Sequence, residues 1–114
     1  MTEPTQRPYT TVADGVQIHL LRRHADAGLT FLIRMCKGSR APRHGHPGGE
    51  ETYLLEGRLR IVERRDADHR PVPDALVTPG QYLFAPPGET HEGIAEEDTL
   101  FLVVAPGGVA PTVE

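Results

Sequence analysis

Residues 44–57 read His44-Gly45-His46-Pro47-Gly48-Gly49-Glu50-Glu51-Thr52-Tyr53-Leu54-Leu55-Glu56-Gly57. Side chains two apart on a strand point to the same face, so His44 and His46 can converge on one point. Glu50 shares their parity if the strand resumes after the Pro47-Gly48-Gly49 break. A further histidine, His91, follows the loop Pro86-Pro87-Gly88. Imidazole nitrogens and carboxylate oxygens are donors that divalent Zn, Fe, Mn, Ni and Cu accept. On spacing alone, however, His44 and His46 read equally well as a solvent-facing strand pair.

Outward from this stretch the pattern has period two. Val16, Ile18 and Leu20 alternate with Gln17, His19 and Leu21, and Phe31, Ile33 and Met35 alternate with Leu32, Arg34 and Cys36. The stretch His24-Ala25-Asp26-Ala27-Gly28 between them reads as a hairpin turn. Further strands are predicted at 52–55, 59–62, 81–85, 91–94 and 100–104, separated by Gly-, Pro- and Asp-rich punctuation. No window holds a 3.6-residue apolar period, and the best helical candidate, 61–69, is broken by charge and would form one turn at most. Gly (12) and Pro (11) are abundant, which favours many turns between short strands over a helical bundle. The fold class is therefore all-β, a sandwich or barrel. Phe31, Ile33, Leu54, Phe84, Phe101 and Val103 are the expected core, and Cys36 is expected as a small buried strand residue.

At 114 residues one domain is expected. Residues 1–11 read as a polar, flexible N-terminal arm of the kind that pairs with a neighbouring subunit's sheet edge, 12–105 as the β-domain, and 106–114 as a tail. A net charge of −4 lacks the basic footprint of nucleic-acid binding. Uncharged runs fall short of a membrane-spanning helix, and the N-terminal residues carry no apolar signal segment. With one cysteine there is no intrachain disulfide, and a cytoplasmic setting is the expectation.

From Gly38 to Ala95 the chain resembles the two motifs of the cupin superfamily. Gly38, five residues, His44, one residue, His46, three residues, Glu50, six residues and Gly57 match the first motif. Gly80, five residues, Pro86, one residue, Gly88, two residues and His91 match the second, and the asparagine that usually closes it is here Ala95. The resemblance implies a small double-stranded jelly-roll barrel with one divalent ion (Zn, Fe, Mn or Ni) held by His44, His46, Glu50 and His91, with positions open for water or substrate. The interval to Gly57 selects Glu50 over Glu51 as the carboxylate. His19, His24 and His69 have no partners at ligand spacing and read as strand or loop histidines. Tyr53 and Tyr82 are candidates to offer a hydroxyl to a ligand, and Arg34, Arg43, Arg58 and Arg60 to meet an anionic one, although packing and surface roles are the plainer expectation for all six.

Within the superfamily, residues 44–57 look most like the metal-binding cupin domain of zinc-dependent anti-sigma factors and their stand-alone relatives. The helical domain by which those regulators grip sigma is not expected here, so sigma binding is not implied. Three kinds of function follow as expectations: an Fe(II)-dependent dioxygenase, with metal-assisted isomerase or lyase chemistry as its variant; a non-catalytic sensor or binding module; and a small-molecule binder with a structural metal. A homodimer is expected, together with metal affinity that falls as histidines protonate near pH 6.

Overall fold

The computed structural model describes residues 8–111. They form strands β1 (Thr10–Ala13), β2 (Val16–Arg23), β3 (Leu29–Met35), β4 (Arg40–Gly45), β5 (Glu50–Glu56), β6 (Leu59–Arg65), β7 (Pro71–Val72), β8 (Ala75–Val77), β9 (Tyr82–Ala85), β10 (Thr90–Ala95), β11 (Thr99–Ala105) and β12 (Ala110–Pro111). No described helix is long and apolar enough to cross a membrane. One antiparallel sheet runs β1-β2-β3-β11-β5-β9, and the other runs β12-β4-β10-β6-β7 with β8 also on β6. Together they make the all-β jelly-roll barrel that the alternating pattern and the cupin resemblance predict.

Unbroken pairing of β3 with β11 forms the centre of the first sheet, whose flanking pairs β1–β2, β2–β3 and β5–β11 each carry a register shift. Along β11 buried and half-buried residues alternate without a break, and Phe101, Val103 and Ala105 join Phe31, Met35 and Leu54 in the core. The β11–β3 register is unbroken from Thr99 opposite Met35 to Ala105 opposite Leu29. Leu54 is fully buried, a contribution of about 1.5–3 kcal/mol.

The second sheet departs from alternation twice. His91 pairs with His44 and Gly93 with Ala41, so Pro42 and Arg43 together oppose Glu92. Thr90 pairs with Arg65 and Glu92 with Val62, so Glu63 and Arg64 together oppose His91. Each is a β-bulge, which re-aims the side chains beyond it.

Several expectations need correcting. Cys36 is exposed: β3 ends at Met35, and Cys36 opens a turn in which its carbonyl accepts from Ser39 N at 2.9 Å. Phe84 is half exposed, because Leu83 and Ala85 take the inward positions of β9. The candidate helical turn at 61–69 is instead the end of β6 and a loop. Strands β1, β7, β8 and β12 are not among the expected ones; Pro71 of β7 sits on an edge pairing with Arg65, where proline is tolerated. β1 takes in Thr10 and Thr11 of the expected arm, and β12 lies within the expected tail, paired to β4. Residues 1–7 of that arm and residues 112–114 lie outside the described residues.

Gly57 links β5 to β6 with φ +93°. A Cβ there would lie 2.5 Å from Thr99 Oγ1, so the turn requires glycine on both conformational and steric grounds.

Candidate metal centre

The bulge at Pro42–Arg43 brings His44 to the interior face of β4, opposite His91 on β10. His46 lies just beyond β4, where its carbonyl accepts from Gly49 N at 2.9 Å. This tight turn is braced from outside: a Cβ on Gly48 would meet Gly107 N at 2.5 Å, so two glycine backbones pack directly together. Glu50 then opens β5. One donor atom from each of His44, His46, Glu50 and His91 lies within 4.8 Å of the other three. The rings of His44 and His46 are 4.9 Å apart and those of His44 and His91 4.8 Å, both edge-to-face.

Hydrogen bonds leave the outer ring nitrogens facing one another. His44 Nδ1 donates to Pro42 O at 2.8 Å and His91 Nδ1 to Glu89 Oε2 at 2.9 Å, which leaves Nε2 of each with a free lone pair when the ring is neutral. Among the described residues, the ring nitrogens of His46 are the buried side-chain polar atoms without a hydrogen bond; its Nε2 lies 3.2 Å from Glu50 Oε1 but is not aligned for one. An unpaired buried polar group costs about 1–3 kcal/mol. A divalent cation at this point would take one of those nitrogens, so the donor set fits such an ion.

Charge is distributed to match. Burial alone would raise the Glu50 carboxyl, but the adjoining His46 and His91 outweigh it and hold the group well below the usual carboxylate range. Burial likewise opposes the charged form of His91, yet Glu50 and Glu89 on its two sides push it up to about 9. Burial keeps His44 below its ordinary value, against the Pro42 carbonyl. Without a metal, the cluster is thus an anionic Glu50 against a cationic His91.

Beside the cluster opens a cavity of about 420 Å³, within the size range of small-molecule sites. Val16, Ile18, Leu20, Phe31 and Ile33 line it, with His44, His46 and Glu50 at its wall. Of the other candidates, Arg43 alone borders this cavity. Glu51 turns outward and accepts from the Tyr82 hydroxyl at 2.9 Å; Tyr53 and Tyr82 are exposed. Arg34 lies over the Tyr9 ring and donates to Gln17, and Arg58 and Arg60 pair with Glu96. His19 meets Pro8 O, His24 meets Thr30, and His69 is exposed. Ala95, in place of the usual asparagine, is buried, and its backbone bonds both Gly38 and Ser39. The departure therefore touches a turn and no donor. Sequence reasoning missed Glu89 and Arg64; the available signal was Glu89's even spacing from His91.

Residues 1–110 match the family described as the ChrR cupin-like domain. Over 76 residues the chain is 28% identical to the DNA damage-repair/toleration protein DRT102 of Arabidopsis thaliana, covering 67% of this chain and 23% of that relative, so it spans about a quarter of the relative's length. Among solved structures, the polyketide cyclase RemF of Streptomyces resistomycificus superposes with a TM-score of 0.75 at 25% identity, covering 100% of this chain and 85% of the other. The complex of Rhodobacter sphaeroides SigE with the anti-sigma ChrR gives 0.72 at 22%, covering 90% and 51%.

Proposed function

Because this chain belongs to the ChrR cupin-like family, we propose that it binds one divalent metal ion through His44, His46, Glu50 and His91 and presents that ion to a small molecule in the adjoining cavity. The observation that carries this is His46: its two buried nitrogens lack hydrogen bonds within a group of donors no more than 4.8 Å apart. A bound ion supplies Lewis acidity and, if it is iron, redox chemistry. The chain's own residues supply the rest. Glu50 holds negative charge at the site, the bond to Pro42 O orients His44, and the apolar wall excludes water and receives the body of a ligand whose polar head meets the cluster.

The finer reading is a small-molecule dioxygenase, in which both atoms of O2 enter the cleaved product; isomerase or lyase chemistry at the same ion is its variant. The apolar cavity beside the donor cluster supports it. A non-catalytic, metal-responsive binding module is the second reading, favoured by the likeness to the anti-sigma ChrR. Elemental analysis of the purified chain tests the shared claim: about one ion per chain is expected, and no ion under metal-replete conditions overturns it. Oxygen uptake by the anaerobically reconstituted Fe(II) protein, screened with diketones, flavonols and thiols, separates the two readings. Failure to turn over any of them favours the binding module, which should in turn capture a partner in a chelator-sensitive way.

We place the chain in a homodimer as well. The support is Tyr53, Leu55, Tyr82 and Phe84, exposed on β5 and the edge strand β9. Light scattering should give twice the 12.5 kDa chain mass. The lone, exposed thiol of Cys36 supports a reducing, cytoplasmic setting.

A further inference from the structure

Behind His91 lies a second layer of charge. Glu89 is buried, at 2% exposure, and both of its oxygens are engaged. Oε2 accepts from His91 Nδ1 at 2.9 Å and from Arg64 Nε at 3.0 Å; Oε1 accepts from Arg64 Nη2 at 3.1 Å. Arg64 Nη1 donates in addition to Pro73 O at 3.0 Å. A forked guanidinium pair fixes the plane of a carboxylate, which a single bond does not.

The backbone is arranged to permit this contact. Ile61 pairs with Gly93 and Val62 with Glu92, whereas Thr90 pairs with Arg65. With unbroken alternation Arg64 would turn outward with Val62, and Glu63 would turn inward. The extra residue in β6 reverses that parity directly opposite His91. Glu63 takes φ +53° to accomplish it, a left-handed conformation that non-glycine residues rarely adopt. Just before β10, Glu89 N closes a turn onto Pro86 O at 3.1 Å, and its carboxylate lies on the side of His91 that carries Nδ1.

We propose that Glu89, clamped by Arg64, is the positioning residue for His91: it keeps the ring proton on Nδ1 and turns Nε2 towards His44, His46 and Glu50. This rests on the metal-binding function proposed above. Outer partners of metal-ligating histidines set ring orientation and donor strength, and their loss weakens metal binding about 10- to 100-fold.

The test uses Glu89→Gln and the double variant Arg64→Leu/Glu89→Leu, which removes both charges so that neither is left buried alone. Zn(II) affinity by chelator competition should fall about 10-fold in Glu89→Gln and up to about 100-fold in the double variant. The Co(II) absorption bands should shift in both. In the metal-free parent, 1H–15N spectra should show a His91 Nδ1–H protected from exchange, and the double variant should lose that protection. Zn(II) affinity within twofold of the parent, or an Nδ1–H that stays protected in the double variant, overturns the proposal. Should the double variant not fold, Glu89→Gln decides alone. A parent that binds neither Zn(II) nor Co(II) sinks the metal function, and the protection of His91 Nδ1–H then judges the positioning by itself.

Discussion

The β3–β11 wall and the β4–β10–β6 wall of the same barrel are built differently. The first pairs seven consecutive positions without a shift, and its inward residues are almost all apolar. The second carries a bulge on each side of β10 and buries His91 and Glu89. Regular pleating suffices to bury hydrocarbon, since any inward apolar side chain does that task. Converging three imidazoles and a carboxylate needs specific directions; the bulges provide those of His44 and His91, and the tight turn at His46–Gly49 brings in His46 and Glu50. One wall thus supplies stability, and the other uses part of it to hold polar groups out of water.

The sharpest break in that contrast is His91→Ala. It should take the chain from about one metal ion to a small fraction of one by elemental analysis. The metal-free variant should also lose about 3–5 kcal/mol by urea denaturation, because Glu50 is left buried without its cation, whereas Glu89 keeps Arg64. Retained stoichiometric metal would mean that the four residues are not the ligand set. On the regular wall, Leu54→Ala should cost about 2–5 kcal/mol from the cavity it opens and leave metal content at one. If metal content falls as well, the two walls are not energetically separable.

The same contrast explains what could be read without coordinates. Alternation located β3 and β11 because no bulge interrupts their pairing, and it located β2 and β5 although each carries one extra residue near its end. It brought Phe84 into the core wrongly, because a short edge strand shows too few residues to fix its phase. The donor set followed from motif spacing, and parity alone would have misled. Ala41 and His44 share a face although they are three positions apart, and His46 is off the strand altogether. Glu89 and Arg64 stayed hidden because a bulge at Glu63 has no glycine or asparagine to announce it.

Titration sharpens the contrast further, since both histidines concerned sit on the irregular wall and Glu50 reaches them from β5 on the other sheet. His91 is raised to about 9 in the metal-free chain, so its contribution is complete below about pH 6.5 and is lost as pH rises through 9. His44 is lowered; its contribution is present above about pH 6.5 and lost as pH falls. Glu50, also lowered, is lost only in stronger acid, below its ordinary range. Metal-free stability should therefore peak near neutrality. Metal must displace the His91 proton, so Zn(II) affinity should climb about tenfold, or about 1.4 kcal/mol, per pH unit between 6.5 and 9. The expected midpoint near pH 6 for free histidine is thus moved upward by the two carboxylates. A flat affinity profile over that window would show His91 neutral at pH 7 and its pairing with Glu50 weak.

The smallest effect falls on the bulge itself. Glu63 is held at φ +53°, where an L-residue costs about 1–2 kcal/mol more than glycine. Its side chain is over half exposed and lies 3.7 Å from Arg43, an ion pair of at most about 1 kcal/mol. Glu63→Gly should therefore leave stability unchanged or raise it by up to about 1 kcal/mol in urea denaturation, with Zn(II) affinity unaltered. Glu63→Val, whose branched side chain is the worst fit to that backbone, should destabilise and also weaken Zn(II) binding, because straightening β6 would turn Arg64 outward and release Glu89. If both variants behave alike, the left-handed turn at Glu63 is incidental to the aim of His91, and the irregular wall owes its geometry to the bulge in β4 alone.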